Sequence, residues 1–285
     1  MPNLPRCVRG DSAAEKGEAI FVRRHVGCDG PLNGAPVSHD FATLGFYVGG
    51  SSRVEQRATW TLERGDLLII PAGEPHRMIE GRRPELWGLG FCVPCFSAEA
   101  TAALLEPFER VRDGAAPVVR IAAERRAFLA SLFQELSASP AVVGVEATVQ
   151  LSLLTLILSE VTRASVWASA ARPERSIVSQ SLRYIERHCF EPLTLNQVAA
   201  AVKRTPSYVT TALTRATGRS AVAWIIAGRM AEARRRLLHS DERVEIIAER
   251  VGYADATHFI RLFRRTHGAT PAAWRERRLA AHSSR

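Results

Sequence analysis

The sequence predicts a multidomain protein of mixed α and β structure. An N-terminal β-barrel with helices flanking its C-terminal side comes first, then an all-α domain of two helix-turn-helix motifs joined by a long helix. Three observations carry this. Short apolar runs broken by Gly, Pro, Asp and Ser fill the chain from Ala19 to about Phe96, helical periodicity takes over from Ala98, and the segment after Ser176 contains one helical unit twice. At 285 residues and 46% hydrophobic side chains, each part can bury a core.

Residues 1–18 are polar and carry Gly and Pro, as a loose arm does. Between 19 and 97 the runs AIFVRR, TLGFYV, RVEQRATWTL, DLLIIP and ELWGLGF each read as a strand, and closely spaced strands with Gly/Pro turns suit a small barrel or sandwich. The stretch Gly65 to His76 holds more detail. A turn feeds a buried strand, Pro71 ends it, and a bend at Gly73 delivers His76 to the next strand. A metal would need His25, His39 and His76 to converge, which their spacing does not show, so no metal and no other cofactor is expected. Cys92-Val-Pro-Cys95 could form a redox switch or half of a zinc site. No second C-x-x-C completes a zinc set, and Cys92 ends an apolar strand, so buried, inert cysteines are the expectation.

Residues 98–162 read as a helical dimerisation region, with amphipathic stretches at Glu124–Leu136 and Gly144–Val161. In the second, Leu151, Leu154, Leu158 and Val161 make one stripe, while Leu153, Leu156 and Ile157 cover an adjoining face. A helix apolar on two faces needs two partners, and the same helix of a second subunit would supply one, giving a homodimer. Residues 163–175, rich in Ala, Ser, Arg and Pro, read as a linker.

The region 176–278 begins with a helix over Ile177–Phe190. Val244, Ile247, Ala248 and Val251 then stripe a short helix, Gly252 breaks it, Asp255 caps a second helix with Phe259, Leu262 and Phe263 inside, and Gly268 closes that helix. The same pattern lies upstream. Val209, Leu213, Gly218, Ser220 and Trp224 match Phe259, Phe263, Gly268, Thr270 and Trp274 at an offset of 50, and Val198, Ala199 and Val202 match Ile247, Ala248 and Val251 at an offset of 49. One residue is therefore inserted in the second turn. Thr194 with Gln197, and Thr205 before Pro206, supply the caps of the first unit. Between the units, Ser220–His239 is a helix of 20 residues. At about 1.5 Å per residue it spans about 30 Å, close to the roughly 34 Å between successive major-groove faces on one side of B-DNA. Residues 279–285 are a tail.

Charge follows this division. From Ser176 onward there are 19 Lys and Arg against 9 Asp and Glu, a net of +10, whereas the first 175 residues carry 19 and 20, a net of −1. One end is built to meet a polyanion. No run approaches the roughly 18 apolar residues of a membrane span, and the N-terminus lacks the apolar core of a signal peptide. Five cysteines, an odd number, make no disulfide framework. The expected location is the cytoplasm, with no membrane partner.

Two resemblances sharpen this reading. Gly65, five residues, Pro71-x-Gly73, two residues and His76 resemble the second cupin motif, whose first motif would lie near His39-Asp40; the His-x-His pair of metal-binding cupins is missing. Ile247 to Arg275, I-A-x-x-V-G-Y-x-D-x-x-x-F-x-R-x-F-R-R-x-x-G-x-T-P-x-x-W-R, resembles the AraC/XylS family of bacterial transcription regulators over about Ile177–Arg278. One departure is Lys203, where a turn glycine is common. The resemblance implies double-stranded DNA as partner over two consecutive major-groove segments, an effector-binding barrel, a homodimer, and RNA polymerase as a contact if the chain is an activator. The implied DNA-facing residues are Ser207, Thr210, Thr211 and Arg215 in the first unit, and Ala256, Thr257, Ile260, Arg261, Arg264 and Arg265 in the second. Strand alternation and the cupin resemblance nominate His39, Phe41, His76 and Trp87 for the effector. The expected function is a DNA-binding regulator, an activator by family habit, responding to a small molecule, with no catalytic residues. The alternatives are a thiol-based regulator using Cys92 and Cys95 and a metal-dependent cupin enzyme fused to a DNA-binding domain.

Overall fold

The computed structural model describes residues 19–96, 99–139, 145–165 and 176–283. The expected arm at 1–18 and most of the expected linker at 163–175 lie outside the described residues.

The N-terminal region is one antiparallel sheet. Its strands are β1 (Ile20–Val26), β2 (Gly30–Pro31), β3 (Ala42–Gln56), β4 (Ala58–Glu63), β5 (Asp66–Ile70), β6 (Arg77–Phe91) and β7 (Val118–Arg120), with hydrogen-bonded order β1-β6-β3-β5-β7. β3 and β6 form the spine, with Thr43 opposite Gly90 and Phe46 opposite Trp87. The path ends at β1 and β7 and is not closed, so among the described residues the expected barrel is an open sheet. RVEQRATWTL, expected as one strand, is two. Arg57 takes a left-handed φ of 57° and the chain reverses there, so that Val54 pairs with Trp60. β-branched and aromatic residues on both sides hid this turn, which carries no Gly, Asn or Pro.

Successive residues of a strand face opposite sides, and β5, buried throughout, feeds two cores. Leu67 and Ile69 join Leu44, Phe46, Trp87, Leu89 and Phe91 under the helices, while Leu68 and Ile70 join Tyr47, Val54 and Leu62 on the other face. That second face is packed rather than hollow. Tyr47 is buried there with its hydroxyl 2.5 Å from Ser52 Oγ, and burial pushes its pKa up to about 12.

After β6 come α1 (Val93–Phe96), α2 (Glu106–Arg112), α3 (Arg126–Ala138) and α4 (Val145–Ala164). Leu129, Leu132, Phe133 and Leu136 of α3 and Leu154, Ile157, Leu158 and Val161 of α4 close the first core, with Phe133 stacked near Phe46 and Trp87. Arg125 locks α4 through a paired contact to Glu160 at 2.7 and 2.9 Å. Leu151 of the first expected stripe and Leu156 of the adjoining one both lie exposed with Val149, while Leu154, Ile157, Leu158 and Val161 are buried, so each stripe is split between core and surface.

The C-terminal region is helical: α5 (Ile177–His188), α6 (Leu195–Ala201), α7 (Pro206–Thr217), α8 (Ala221–His239), α9 (Val244–Arg250), α10 (Ala256–His267) and α11 (Pro271–Ser283), the last running past the expected boundary at 278. One core holds Val198, Ala199, Val209, Leu213, Trp224 and α5 residues; the other holds Ile247, Ala248, Phe259, Phe263 and Trp274. α8 lends residues to both.

Candidate nucleic-acid interface

The pairs α6–α7 and α9–α10 are built alike. At the end of α6, Lys203 N donates to Ala200 O and Arg204 N to Ala199 O; 49 residues on, Gly252 N donates to Glu249 O and Tyr253 N to Ala248 O. Both turn residues are left-handed, Lys203 at φ 53° and Gly252 at φ 88°. Lys203 therefore adopts the backbone that a glycine adopts in the second copy, at a steric cost a side chain imposes. Gly252 has a further reason to lack one, since a Cβ there would stand 2.8 Å from Phe190 O. α7 is capped by Thr205 receiving Tyr208 N, α10 by Asp255 receiving Thr257 N, and both close on left-handed glycines, Gly218 and Gly268. The Thr257 N–H, first among several donors, holds the Asp255 carboxylate below its ordinary range. Thr194 and Gln197 form the expected capping box of α6.

With Val209 and Leu213 inside, α7 turns Ser207, Thr211 and Arg215 outward and leaves Thr210 half-buried. With Phe259, Leu262 and Phe263 inside, α10 turns out Thr257, Arg261, Arg264 and Arg265, flanked by half-buried Ala256 and Ile260. Seven of the ten expected residues thus lie exposed on two helices, while Thr210, Ala256 and Ile260 are half-buried, the last two against the second core. Among the described residues Arg264 and Arg265 form no ion pair, in contrast to the arginines of α8: Arg235 and Arg236 are tied to Glu232, and Arg236 also to Glu242. Cations held without a carboxylate partner remain available to phosphates. α8, 19 residues long, separates the two pairs by about 28 Å of helix.

The sheet region docks on the first pair. The Pro71–Gly73 bend enters between the two regions: Ala72 packs into the core of α5–α8, and Gly73, at φ 83°, passes so close to Trp224 that a Cβ would meet its ring at 2.9 Å. Arg219 pairs with Asp40 at 2.9 Å and lies over the Trp224 ring, and Ser38 Oγ donates to Thr217 O. Beside this bend runs a buried ionic seam. Arg112 grips Glu186 through two hydrogen bonds, 2.9 and 2.7 Å; Arg183 meets Glu109 at 2.7 Å; and Ser179 donates to Asp113 at 2.5 Å. Sequence reading missed these residues. The pairs join positions 66 to 74 apart, and no local pattern marks them.

Of the four residues nominated for an effector, three come together. His39 stacks on Phe41 at 4.6 Å and lies 5.2 Å from His76, centroid to centroid. Burial, reinforced by His76, drives the His39 pKa down to about 4, and burial lowers that of His76. Trp87 does not join them; it stacks on Phe133 and carries Arg24 over its ring. Among the described residues no group of three His, Cys, Asp or Glu side chains could hold a metal ion, and His25 sits instead against Gly88. A cavity of about 410 Å³ opens at the joint between the regions, lined by Arg57, Glu74, Arg112, Asp113, Ser176 and Thr217 among others, and by none of the four nominated residues. Cys92 and Cys95, expected as inert thiols, are joined as a disulfide.

A glycine- or lysine-turned helix pair with an outward cationic second helix defines the class of helix-turn-helix proteins, and residues 198–277 match the family model described as a helix-turn-helix domain. The regulatory protein PocR of Salmonella typhimurium is 35% identical over 104 residues, which cover 36% of this chain and 34% of PocR. The transcriptional activator NphR of a Rhodococcus species is 31% identical over 140 residues, covering 48% of this chain and 42% of NphR. The chain thus spans between a third and a half of the length of these curated relatives. A crystal structure of the AraC-like transcriptional activator CuxR superposes with a TM-score of 0.47 at 13% identity, over 80% of this chain and 85% of that one. Residues 198–277 are thus a helix-turn-helix domain, and the relatives that share it are regulatory proteins.

Proposed function

We propose that the protein is a sequence-specific DNA-binding transcription regulator in which α7 and α10 enter consecutive major-groove segments. The observation that carries this is the duplicated helix pair with its outward faces free and about 28 Å of α8 between them. The two faces differ. Arg261 can fork onto guanine O6 and N7, a contact worth about 1–3 kcal/mol of discrimination, whereas Ser207, Thr210 and Thr211 offer single hydrogen bonds or methyl contacts. Hydrogen-bonded base reading therefore concentrates in the second pair, and the first contributes through shape, methyl and phosphate contacts. Binding selections from random duplexes test this. Arg261→Ala relaxes one operator position; Arg265→Ala weakens all sequences alike and lowers the salt slope by about 1. An unchanged sequence preference in Arg261→Ala would sink the assignment.

The cupin-like sheet region takes a small-molecule effector, and the cavity at the joint is where such a ligand would touch both regions and favour one docking over another. The exposed apolar face of α4, with Val149, Leu151 and Leu156, suits a second copy of the chain. NphR is named an activator, and the same role, with RNA polymerase as contact and the cytoplasm as location, fits this chain. No catalytic step is assigned to it. No helix of the described residues is long and apolar enough to cross a membrane.

A further inference from the structure

The disulfide Cys92–Cys95 has no part in the reading above, and its position gives it one. It closes α1, a helix of four residues. α1 is where the sheet region reaches the helix that spaces the two DNA-facing pairs. Val93 lines a crevice with Arg183, Glu186 and Arg187 of α5. Pro94 lies against α8 at Gly228, where its Cγ is 3.4 Å from the place a Cβ would take, and Cys189 Sγ is 3.0 Å from the same point. The bridge thus sits beneath the contact of α1 with α8, where Pro94 stands within van der Waals range of Gly228.

A four-residue helix has no stability of its own, because nucleation costs more than one turn returns. What holds α1 in shape is packing and the covalent bond across it. Cutting the bond leaves packing alone, and the surface offered to α8 loosens. Access is arranged for such a cut: Cys92 is buried at 7% exposure, but Cys95 is partly open to solvent. Cys95 N donates to Cys92 Sγ, which favours Cys92 as the departing thiolate. The nearby Cys189 does not compete, since burial pushes its thiol up to about 12 and keeps it protonated. In a reducing compartment a disulfide of this kind is a responsive device rather than a permanent staple.

We propose that Cys92–Cys95 is a thiol–disulfide switch that sets how firmly the sheet region is docked on α8, with a dithiol as its reductant and a hydroperoxide as its oxidant. In reduction, a thiolate of the dithiol attacks the Cys95 sulfur, the S–S bond breaks, and Cys92 leaves as a thiolate and takes a proton. The second thiol of the reductant then attacks the mixed disulfide and releases Cys95 as a thiol. The pair has gained two electrons and two protons, and the reductant has become a disulfide. In oxidation, one cysteine thiolate attacks the terminal oxygen of the hydroperoxide, the O–O bond breaks, and the protonated leaving group departs as an alcohol, or as water from hydrogen peroxide, leaving a sulfenic acid; the other thiol then attacks that sulfur, releases the hydroxyl with its own proton as water, and closes the bridge.

The consequence for DNA rests on the DNA-binding reading, while the switch itself does not, and one experiment separates them. Full-length chain is treated with hydrogen peroxide or dithiothreitol, with Cys92→Ser/Cys95→Ser alongside, and followed by hydrogen exchange and by affinity for a duplex selected by the wild-type chain. Peptides spanning 221–232 exchange about tenfold faster in the reduced chain and the double variant than in the oxidised chain, a loosening of about 1.4 kcal/mol, while α10 is unchanged. Affinity for the duplex differs about fivefold or more between the two states, and the double variant ignores peroxide. Equal exchange in α8 between the two states, or two alkylatable thiols at Cys92 and Cys95 after peroxide, overturns the switch. An exchange difference without DNA binding in either state keeps the switch and removes the DNA-binding reading.

Discussion

Glu186→Ala tests the joint between the two regions at its most heavily charged point. Arg112 and Glu186 are 6% and 13% exposed at their side chains, with two hydrogen bonds between them. Burial by itself would lower the Arg112 pKa, but Glu186, with Glu109 and Glu74 behind it, more than reverses this and raises it. Arg112 therefore stays charged in any folded state, and removing Glu186 strands a buried cation. Breaking a buried pair from one side costs about 3–5 kcal/mol, whereas replacing both partners with apolar residues is often neutral or stabilising by about 1–4 kcal/mol. In urea unfolding followed by tryptophan fluorescence, Glu186→Ala loses stability in the first range, and Arg112→Met/Glu186→Leu recovers most of it. A loss below about 1 kcal/mol, the scale of an exposed ion pair, or a double variant as damaged as the single one, refutes this account of the joint.

Two further expectations concern single residues. Lys203→Gly relieves a left-handed backbone at φ 53° and should stabilise the chain by about 1 kcal/mol in the same assay; a destabilised variant contradicts the shared turn geometry. His39 and His267 are both driven from an ordinary 6.5 to about 4, by burial first and then by His76 and Arg234 respectively. The unfolded chain binds these protons before the folded chain does, so the stability of the neutral rings is complete above pH 6.5 and is lost as pH falls towards 4. His39→Gln and His267→Gln should each shrink the loss of urea midpoint over that window, and an unchanged pH profile counts against the burial assignment.

Where local pattern decides structure, the sequence was a good guide. The duplicated helix pair was legible because caps, glycine stops and apolar spacing are all short-range, and the one-residue insertion in the second turn reappears as the shift from an offset of 49 in the turn hydrogen bonds to 50 in the caps and glycine stops. The exposure of Arg261 and Arg265 was legible for the same reason, since burying Phe259 and Phe263 forces both outward. What escaped depends on distant partners. Arg57 reverses the chain without turn residues, with Glu74 and the carbonyls of Val111 and Arg112 holding its side chain. Trp87 has the alternation of an inward residue, yet α3 claims it through Phe133. Gly73 belongs to a motif that promised a ligand pocket inside the sheet region; it brings the sheet against Trp224 and lines the cavity at the joint.

Two helices separated by α8 are proposed to read two neighbouring grooves. Methylation protection of guanines on a selected operator measures this most directly. Two protected major-groove segments are expected one helical turn, about 10–10.5 base pairs, apart on one face of the duplex, with protection in one of them lost in Arg261→Ala. A single protected segment in the wild-type chain, or two segments on opposite faces, contradicts it.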